Sequence, residues 1–374
     1  MSRRARALPM LACLAATACA PPPPEPAAAD VESLLGDGET AGYARASPAP
    51  DFTFPADHGA HPDFRSEWWY FTGNLEDDAG RAFGFQLTFF RFALAPQPRG
   101  GASAWGTRQA WMAHFAVSDV AGQQFHRSER LQRGALGLAG ARAAPFRVWL
   151  GNWQAASTGQ GLFPLRLVAD AGEHSIDLRL DDARPLVLQG ADGYSPKGPE
   201  AGNASLYYSH MRIAAGGRLR LDGTWREVRG EAWLDREWST SALGPDLEGW
   251  EWFSLQLDDG SDLMLYRLRR DDGGASPFSA GTLVAADGRV SRLGVEDFEL
   301  EPGRTWTSPE TGSRYPVEWR LRIPAADLEL TVVPLLDAQE MALSVRYWEG
   351  AVRARGTRGD RTMAGRGYLE LAGY

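Results

Sequence analysis

Cysteine and lysine are nearly missing from this chain of 374 residues. Both cysteines fall within the first 19 positions, and a single lysine, Lys197, stands among 39 basic residues. Without cysteine, the body of the protein can form no disulfide and no thiolate metal site, so its fold depends on its core alone. The formal net charge of −9 also speaks against a nucleic-acid partner, because nucleic-acid binding needs a basic face.

Sequence motifs for metals and nucleotides are lacking too. The six histidines include no His-Glu-x-x-His pattern, and the chain has neither a Gly-x-Ser-x-Gly elbow nor a phosphate-binding glycine loop. We therefore expect no metal and no cofactor. His114 lies in an apolar, strand-like run, where a satisfied core histidine and a residue of a ligand pocket both fit the pattern.

The N-terminus has the features of an export signal. An arginine-rich start precedes an apolar run over residues 7–18 that is too short to span a bilayer. Cys19 follows small residues and precedes a Pro-rich stretch, which resembles a bacterial lipobox and implies lipidation of Cys19; the alternative is an ordinary signal peptide with an incidental cysteine. We expect a signal peptide over 1–18, a lipidated cysteine and linker over 19–50, and a membrane-anchored lipoprotein of the cell envelope facing the periplasm. Ala20 favours the outer membrane.

The rest of the chain has the pattern of antiparallel β-structure. Short acidic turns recur, as at residues 77–80 and 257–260, and the runs between them are rich in aromatic and branched residues. In residues 83–89, apolar side chains occupy every second position, as expected of a strand with one apolar face. No long stretch has a helical period, so we predict an all-β fold.

An internal repeat indicates two domains. Residues 67–91 and 249–267 each combine an aromatic strand, an acidic turn and an apolar strand, with Trp68 matching Trp250 and Tyr70 matching Trp252. The prediction is two tandem antiparallel β-barrels or sandwiches, over residues 51–218 and 219–374. A closed barrel of this kind can hold one small ligand in its interior.

The most aromatic segment surrounds Trp68 and Trp69. On a strand, Glu67 and Trp69 point to one face, while Trp68 and Tyr70 point to the other. Glu67 among indole rings would be desolvated, which raises its pKa and suits a proton donor. Alternatively, Glu67 pairs with Arg65 on the same face and has a structural role.

A second cluster, Trp233–Trp238, places two carboxylates around a guanidinium. Asp235 and Glu237 share one face of the expected strand, while Arg236 and Trp238 share the other. The cluster suits either an acid or base beside aromatic walls, or an ion pair at the domain junction.

The lone lysine gives a third candidate position. Lys197 lies in a segment rich in Tyr, Gly and Ser that leads to Tyr207. A compact ammonium group is required there, or Lys197 is one lysine left by a bias towards arginine codons.

Several longer motifs resemble the AttH/CrtC family of lipocalin-like proteins. They are Phe54-Pro55, Asp57–Pro62 and Glu67–Leu75, then Gly249–Phe253, and near the end Tyr347–Gly350 and Gly367–Tyr374. The resemblance covers about residues 50–374 and implies two lipocalin-like domains in tandem. The family includes carotenoid 1,2-hydratases and lipoproteins similar to AttH, which is encoded beside ABC transporters with FtsX-like permeases. Fungal pericyclases have a similar fold.

One departure from the hydratase pattern concerns the proton donor. The hydratases have Asp-His-x-Trp where this chain has Asp235-Arg236-Glu237-Trp238, and arginine cannot give up its proton. If the chain is a hydratase, the candidate catalytic acids are Glu67, Asp235 and Glu237.

These observations lead to two hypotheses from different classes. The first is an AttH-like envelope lipoprotein that binds an elongated lipid-like or isoprenoid-like ligand in an aromatic cavity and serves an ABC transporter. The second is a hydro-lyase that adds water to an isoprenoid double bond by acid catalysis, and a pericyclase comes third. The candidate ligand-binding residues are Trp68, Trp69, Tyr70, His114, Lys197, Tyr207, Arg236, Trp238, Trp250, Trp252 and Tyr266.

Overall fold

The computed structural model describes residues 40–97, 103–182, 184–241, 243–244 and 246–374. The expected signal peptide, Cys19 and most of the 19–50 linker lie outside the described residues. Within them, the all-β prediction is confirmed, since the helical elements are three short 3-10 turns. None of the helices in the described part of the chain is long and apolar enough to span a membrane. The 3-10 turns are Ala56–His58, Val295–Asp297 and Pro324–Ala326.

The first domain is a 13-stranded antiparallel sheet that curls into a nearly closed barrel. Its main order is β4-β3-β2-β1-β13-β12-β9-β8-β7-β6-β5, and β10 and β11 add to β12. The strands are β1 (Ser66–Asp77), β2 (Ala82–Ala93), β3 (Gln109–Asp119), β4 (Gln124–Arg133), β5 (Ala139–Ala143), β6 (Phe146–Leu150), β7 (Trp153–Ser157), β8 (Leu165–Asp170), β9 (Ser175–Asp182), β10 (Val187–Leu188), β11 (Tyr194–Pro196), β12 (Ala204–Leu221) and β13 (Thr224–Ser239).

The second domain is a 10-stranded sheet shaped as a half-barrel, with a separate two-stranded ribbon, β19-β20. The main order of the sheet is β17-β16-β15-β14-β25-β24-β22-β21-β18, and β23 pairs with β24. The strands are β14 (Leu247–Leu257), β15 (Asp262–Arg270), β16 (Ala280–Val284), β17 (Val290–Gly294), β18 (Glu299–Pro302), β19 (Thr305–Thr307), β20 (Arg314–Pro316), β21 (Trp319–Ile323), β22 (Leu328–Pro334), β23 (Glu340–Ala342), β24 (Arg346–Arg358) and β25 (Arg361–Ala372).

The change from the first sheet to the second comes later than the expected boundary at 218/219. That position lies inside β12, which forms a long hairpin with β13. β13 in turn pairs with the full length of β1, from Ser66 opposite Ser239 to Asp77 opposite Val228. The sheet therefore changes between Ser239 and Leu247, because β13 completes the first barrel.

The internal repeat corresponds to two equivalent hairpins. β1 lies between β2 and β13 in the first sheet, as β14 lies between β15 and β25 in the second. The two domains therefore present the same arrangement of three central strands.

The buried apolar side chains of the described residues form three clusters, one inside each domain and one between the domains. The interior of the first barrel is filled by side chains such as Phe71, Phe85 and Leu178, and that of the second by Leu255, Leu330 and others. The third cluster joins residues from both sheets, including Tyr70, Trp252 and Tyr347. Side chains fill both barrel interiors, and the side chains that join the two sheets form a separate cluster between them.

Candidate functional site

A cavity lies between the facing sheets. The empty space between its walls is about 980 Å³, including the part that is open to solvent. Its lining combines aromatic and aliphatic side chains with several carboxyl groups. The lining residues are Trp68, Tyr70, Thr88, Phe90, Phe92, Met112, His114, Lys197, Tyr207, Asp235, Glu237, Trp250, Trp252, Tyr266, Leu268, Val345, Tyr347, Glu349 and Glu370.

The repeated hairpins supply the aromatic wall. Trp68 and Tyr70 of β1 share the strand face that points out of the barrel and into the cavity, and Trp250 and Trp252 of β14 do the same from the other domain. The rings of Tyr70 and Trp252 meet edge to face, with centroids 5.1 Å apart. The corresponding aromatic residues of the two repeats therefore enclose one shared space.

Asp235 is one of two carboxyl groups of β13 that face the cavity, and Glu237 is the other. Its carboxyl accepts hydrogen bonds from the Trp233 indole at 2.7 Å, from Tyr207 at 2.5 Å and from Ser209. Burial raises the pKa of Asp235 to about 7, although these hydrogen bonds act to lower it. Asp235 therefore carries a proton in a substantial part of the molecules at neutral pH.

Two further carboxyl groups, Glu349 and Glu370, lie directly opposite each other on β24 and β25. Tyr70 donates a hydrogen bond to Glu349 at 2.6 Å, and the indole of Trp250 donates one to Glu370 at 3.0 Å. Burial raises the pKa of Glu349 well above its usual range, and the nearby Glu370 raises it further. Burial also raises the pKa of Glu370 to about 8, with the charges of Glu237 and Asp235 adding to the effect.

Sequence reasoning missed Glu349 and Glu370 although the repeat contains a signal for one of them. Asp235 lies opposite Tyr70, and Glu370 lies opposite Trp252. Since Tyr70 and Trp252 match in the repeat, Glu370 occupies in the second domain the place that Asp235 has in the first.

The lone lysine lies in the cavity wall. The Lys197 ammonium is 3.5 Å from the Glu237 carboxylate and 3.9 Å from the centroid of the Tyr266 ring. Burial alone would lower the pKa of Lys197, but the interactions with Tyr266 and Glu237 outweigh burial and raise it. Lys197 and Glu237 therefore form a buried ion pair with Ser205 as an added hydrogen-bond donor.

His114 connects the two sheets at the side of the cavity. Its Nδ1 is hydrogen-bonded to the Tyr347 hydroxyl at 2.8 Å, and its Nε2 to Glu129 at 3.0 Å. The imidazole also stacks on Tyr347, with ring centroids 5.6 Å apart. Both ring nitrogens have partners, so His114 is a satisfied buried histidine that also contributes to the wall.

Glu67 does not face the cavity, and its expected raised pKa is wrong. Its carboxylate is completely buried on the opposite face of β1 and pairs with Arg91 and Arg236. Burial acts to raise the pKa of Glu67, but the charges of Arg236 and Arg91 lower it overall. The partner that we expected from spacing, Arg65, is replaced by arginines from the neighbouring strands β2 and β13.

Three candidate ligand-binding residues, like Glu67, point away from the cavity and do not line it. Trp69 is buried in the core of the first barrel. The Arg236 guanidinium lies 3.9 Å from the Trp69 ring centroid, so Arg236 packs inside the protein. Trp238 stacks on His61 with parallel rings and a centroid separation of 3.9 Å. The predicted alternation of faces is correct. These three residues are absent from the cavity because their side chains point to the other face of the sheet.

The candidate residues that do meet in the cavity are eight of the ligand-binding set and two of the acids. They are Trp68, Tyr70, His114, Lys197, Tyr207, Trp250, Trp252 and Tyr266, with Asp235 and Glu237. Among the described residues, no group of three or more His, Cys, Asp or Glu side chains is arranged to hold a metal. The aromatic faces of the site can contact an apolar molecule or stabilise a cation. A neutral carboxyl group there can donate a proton.

Comparison with known proteins agrees with the motifs. A family model described as AttH-like matches residues 45–374. A crystal structure of a Nitrosomonas europaea protein provisionally named AttH is 38% identical, has a TM-score of 0.78, and covers 88% of this chain and 99% of that one. No curated protein matches the sequence significantly.

Two more distant structures show the same fold. Kievitone hydratase from Nectria haematococca is 16% identical with a TM-score of 0.66, covering 91% of this chain and 98% of that one. CghA is 12% identical with a TM-score of 0.53, covering 92% and 97%. At these identities the likeness concerns the arrangement of the strands alone.

Proposed function

The chain belongs to the AttH-like family, and we propose that this member binds an elongated apolar ligand in the cavity between its two sheets. One observation carries the proposal: the matching aromatic residues of both repeats, Trp68 with Tyr70 and Trp250 with Trp252, line the same space. Aromatic faces of this kind remove apolar surface from water, which favours binding by about 25 cal/mol for each Å² buried.

The polar side of the cavity supports a ligand that is not purely hydrocarbon. Asp235, Glu349 and Glu370 are buried carboxyl groups in an apolar wall. Burying such groups costs stability even when they are hydrogen-bonded, so their clustering here points to a functional site. Glu349 Oε2 has no hydrogen-bond partner among the described residues. A hydroxyl or carbonyl on the ligand would satisfy it.

The experiment is a titration with the apolar fluorescent probe 1-N-phenylnaphthylamine. We expect one saturable site that is weakened at least tenfold in Trp68→Ala, because one wall of the cavity is removed. Trp225→Ala is the matched control, since Trp225 is an exposed indole that does not line the cavity. Equal binding by the wild type and Trp68→Ala would contradict the proposal.

A second candidate function, hydration of an isoprenoid double bond, is favoured by the position of Asp235 in the aromatic cavity and by its raised pKa. In this reaction the Asp235 proton would add to one alkene carbon, and the cation left on the other carbon would be stabilised by the Trp68 and Tyr70 faces. Water would then attack the cation and return a proton to Asp235, so that the enzyme is regenerated. Incubation with an acyclic carotenoid should yield a 1-hydroxy product with the wild type and none with Asp235→Asn.

The small residues before Cys19 and the Pro-rich stretch after it support a membrane anchor. We propose that Cys19 carries a lipid that holds the protein on the periplasmic side of the envelope, where it serves an ABC transporter permease. Metabolic labelling with a fatty acid should mark the wild type and not Cys19→Ala. Labelling that persists in the variant would point to Cys13 or another site.

A further inference from the structure

We infer that the rim of the cavity, where β2, β3 and β4 reach the surface, rests on a lipid bilayer. The ligand then passes between the membrane and the cavity without crossing water. The passage of the ligand rests on the proposed function, whereas the bilayer contact is independent of it. Three observations carry the inference.

The first observation is a row of apolar side chains that leads from the cavity to the surface. Along β2, Thr88, Phe90 and Phe92 line the cavity, and the rings of Phe90 and Phe92 stack with centroids 6.2 Å apart. Leu94 follows at the same alternation, with its backbone N–H bonded to the Arg108 carbonyl at 2.7 Å. Thr88 is completely buried, while Leu94 is 58% exposed. The cavity wall therefore continues onto the outer surface.

The second observation is that further apolar residues are exposed on β4 and in the loop that follows β2. Leu131 of β4 lies opposite Met112, a cavity residue, and is 60% exposed. Trp105, in the loop that joins β2 to β3, is 54% exposed. Leucine and tryptophan at such exposure suit the boundary between water and lipid, where an indole keeps its N–H in the polar layer.

The third observation is where the N-terminal segment joins the body. The Tyr43 hydroxyl donates a hydrogen bond to the Ala93 carbonyl at 3.0 Å, and Gly42 packs against Pro96. The first described residues of the chain therefore lie beside Leu94. A lipid on Cys19 would hold this end of the protein near the membrane. The apolar rim would then set the orientation of the protein on the bilayer.

The bilayer contact is tested by quenching of tryptophan fluorescence. The full chain, purified from membranes, is reconstituted into phosphatidylcholine and phosphatidylglycerol vesicles with or without brominated acyl chains. We expect quenching by the brominated lipid that is reduced in Trp105→Phe and unchanged in Trp225→Phe. Trp225 is a matched control because it is 40% exposed but follows the β12–β13 turn. It lies at the opposite end of β13 from Ser239, which is level with Phe92 because both pair with Ser66.

The outcomes separate the alternatives. Absence of quenching, or equal quenching in Trp105→Phe and the wild type, overturns the inference and would indicate a protein partner or free solvent at the rim. Quenching that depends on Trp105, together with no binding of an apolar probe, would support the bilayer contact while contradicting the proposed function.

The rate at which an apolar probe moves from vesicles to the protein tests whether ligand passes directly from the membrane to the cavity. We expect Leu94→Glu with Leu131→Glu to slow uptake of a vesicle-borne apolar probe at least tenfold, with little change in the final amount bound. Val290→Glu places the same charge on an exposed apolar position of β17, away from the rim, and should leave the rate unchanged. Equal rates in all three proteins would overturn membrane delivery.

Discussion

Tyr70 donates a hydrogen bond to Glu349 across the gap between the two sheets, with 2.6 Å between the Tyr70 hydroxyl and Glu349 Oε1. Other bonds also cross this gap, from the Trp252 indole to the Tyr207 hydroxyl at 3.2 Å and between His114 and Tyr347. The cavity is therefore bounded by two domains that are held together by buried polar contacts. Its shape depends on how closely the sheets approach.

A close approach between the two sheets leads to a first prediction, at Gly84. A Cβ atom added to Gly84 would lie 2.6 Å from the Cβ of Ala351 and 2.8 Å from the Tyr368 hydroxyl. We expect Gly84→Val to lower the free energy of unfolding by about 1–3 kcal/mol, because the sheets must move apart. Urea unfolding measures this loss. In Gly216→Ala the added atom meets nothing closer than 3.9 Å, so an equal loss there would contradict the explanation.

A second prediction concerns Glu67, which we assign to stability. Glu67→Gln leaves Arg91 and Arg236 buried without their carboxylate, and we expect a loss of about 3–5 kcal/mol. The lowered pKa of Glu67 means that its contribution is present above pH 4.5, near the usual pKa, and is lost in stronger acid. Urea unfolding at pH 7 and pH 3 should therefore show a smaller difference between variant and wild type at pH 3.

The control for Glu67 is Asp78→Asn, which removes an exposed pair with Arg229 and should cost at most about 1 kcal/mol. Binding of the apolar probe per folded molecule should be unchanged in Glu67→Gln. A variant that keeps its stability but loses binding would show that Glu67 acts in the cavity after all.

A third prediction is a pH-dependent stability difference at Asp235. Its pKa is raised from 3.8 to about 7 in the folded protein, so its favourable contribution is complete below pH 3.8 and is lost as the pH rises to about 7. Relative to Asp235→Asn, the wild type should lose about 1.4 kcal/mol per pH unit at most across this range. Unfolding free energies measured from pH 4 to pH 8 test this. A constant difference between the two proteins would mean that Asp235 is ionised throughout.

A fourth prediction applies to hydration of an isoprenoid alkene. The reaction needs the protonated form of Asp235, so kcat should fall about tenfold per pH unit above pH 7 and should level off below it. The pH profile of product formation is the measurement. A rate that rises with pH would indicate a general base instead of an acid.

Sequence alternation predicted a large part of the site. It separated Trp68 and Tyr70 from Glu67 and Trp69, and the structure confirms that these pairs face opposite ways. This succeeds because the side chains of a strand alternate with a period of two, whatever the strand pairs with. The pattern does not tell which face meets the other domain, so Trp69 was expected in the cavity and lies in the barrel core.

The other site residues could not be predicted because they depend on pairing between strands that are distant in the sequence. Glu370 and Asp235 occupy matching places only because β25 pairs with β14 as β13 pairs with β1, and no local pattern specifies those pairings. The partner of Glu67 was wrongly predicted as Arg65 for the same reason, because strand pairing was not known. Spacing along the strand favoured Arg65, whereas the true partners come from β2 and β13.

The most direct test of the central claim is to map where an apolar ligand sits. A long-chain alcohol that carries a photoreactive diazirine is bound, irradiated and located by peptide mass spectrometry. The account predicts adducts on the facing strands of both domains, at residues such as Trp68, Phe90, Leu268 and Val345. Adducts on barrel-interior residues such as Phe85, Leu178 or Leu330 would contradict a ligand site between the two sheets.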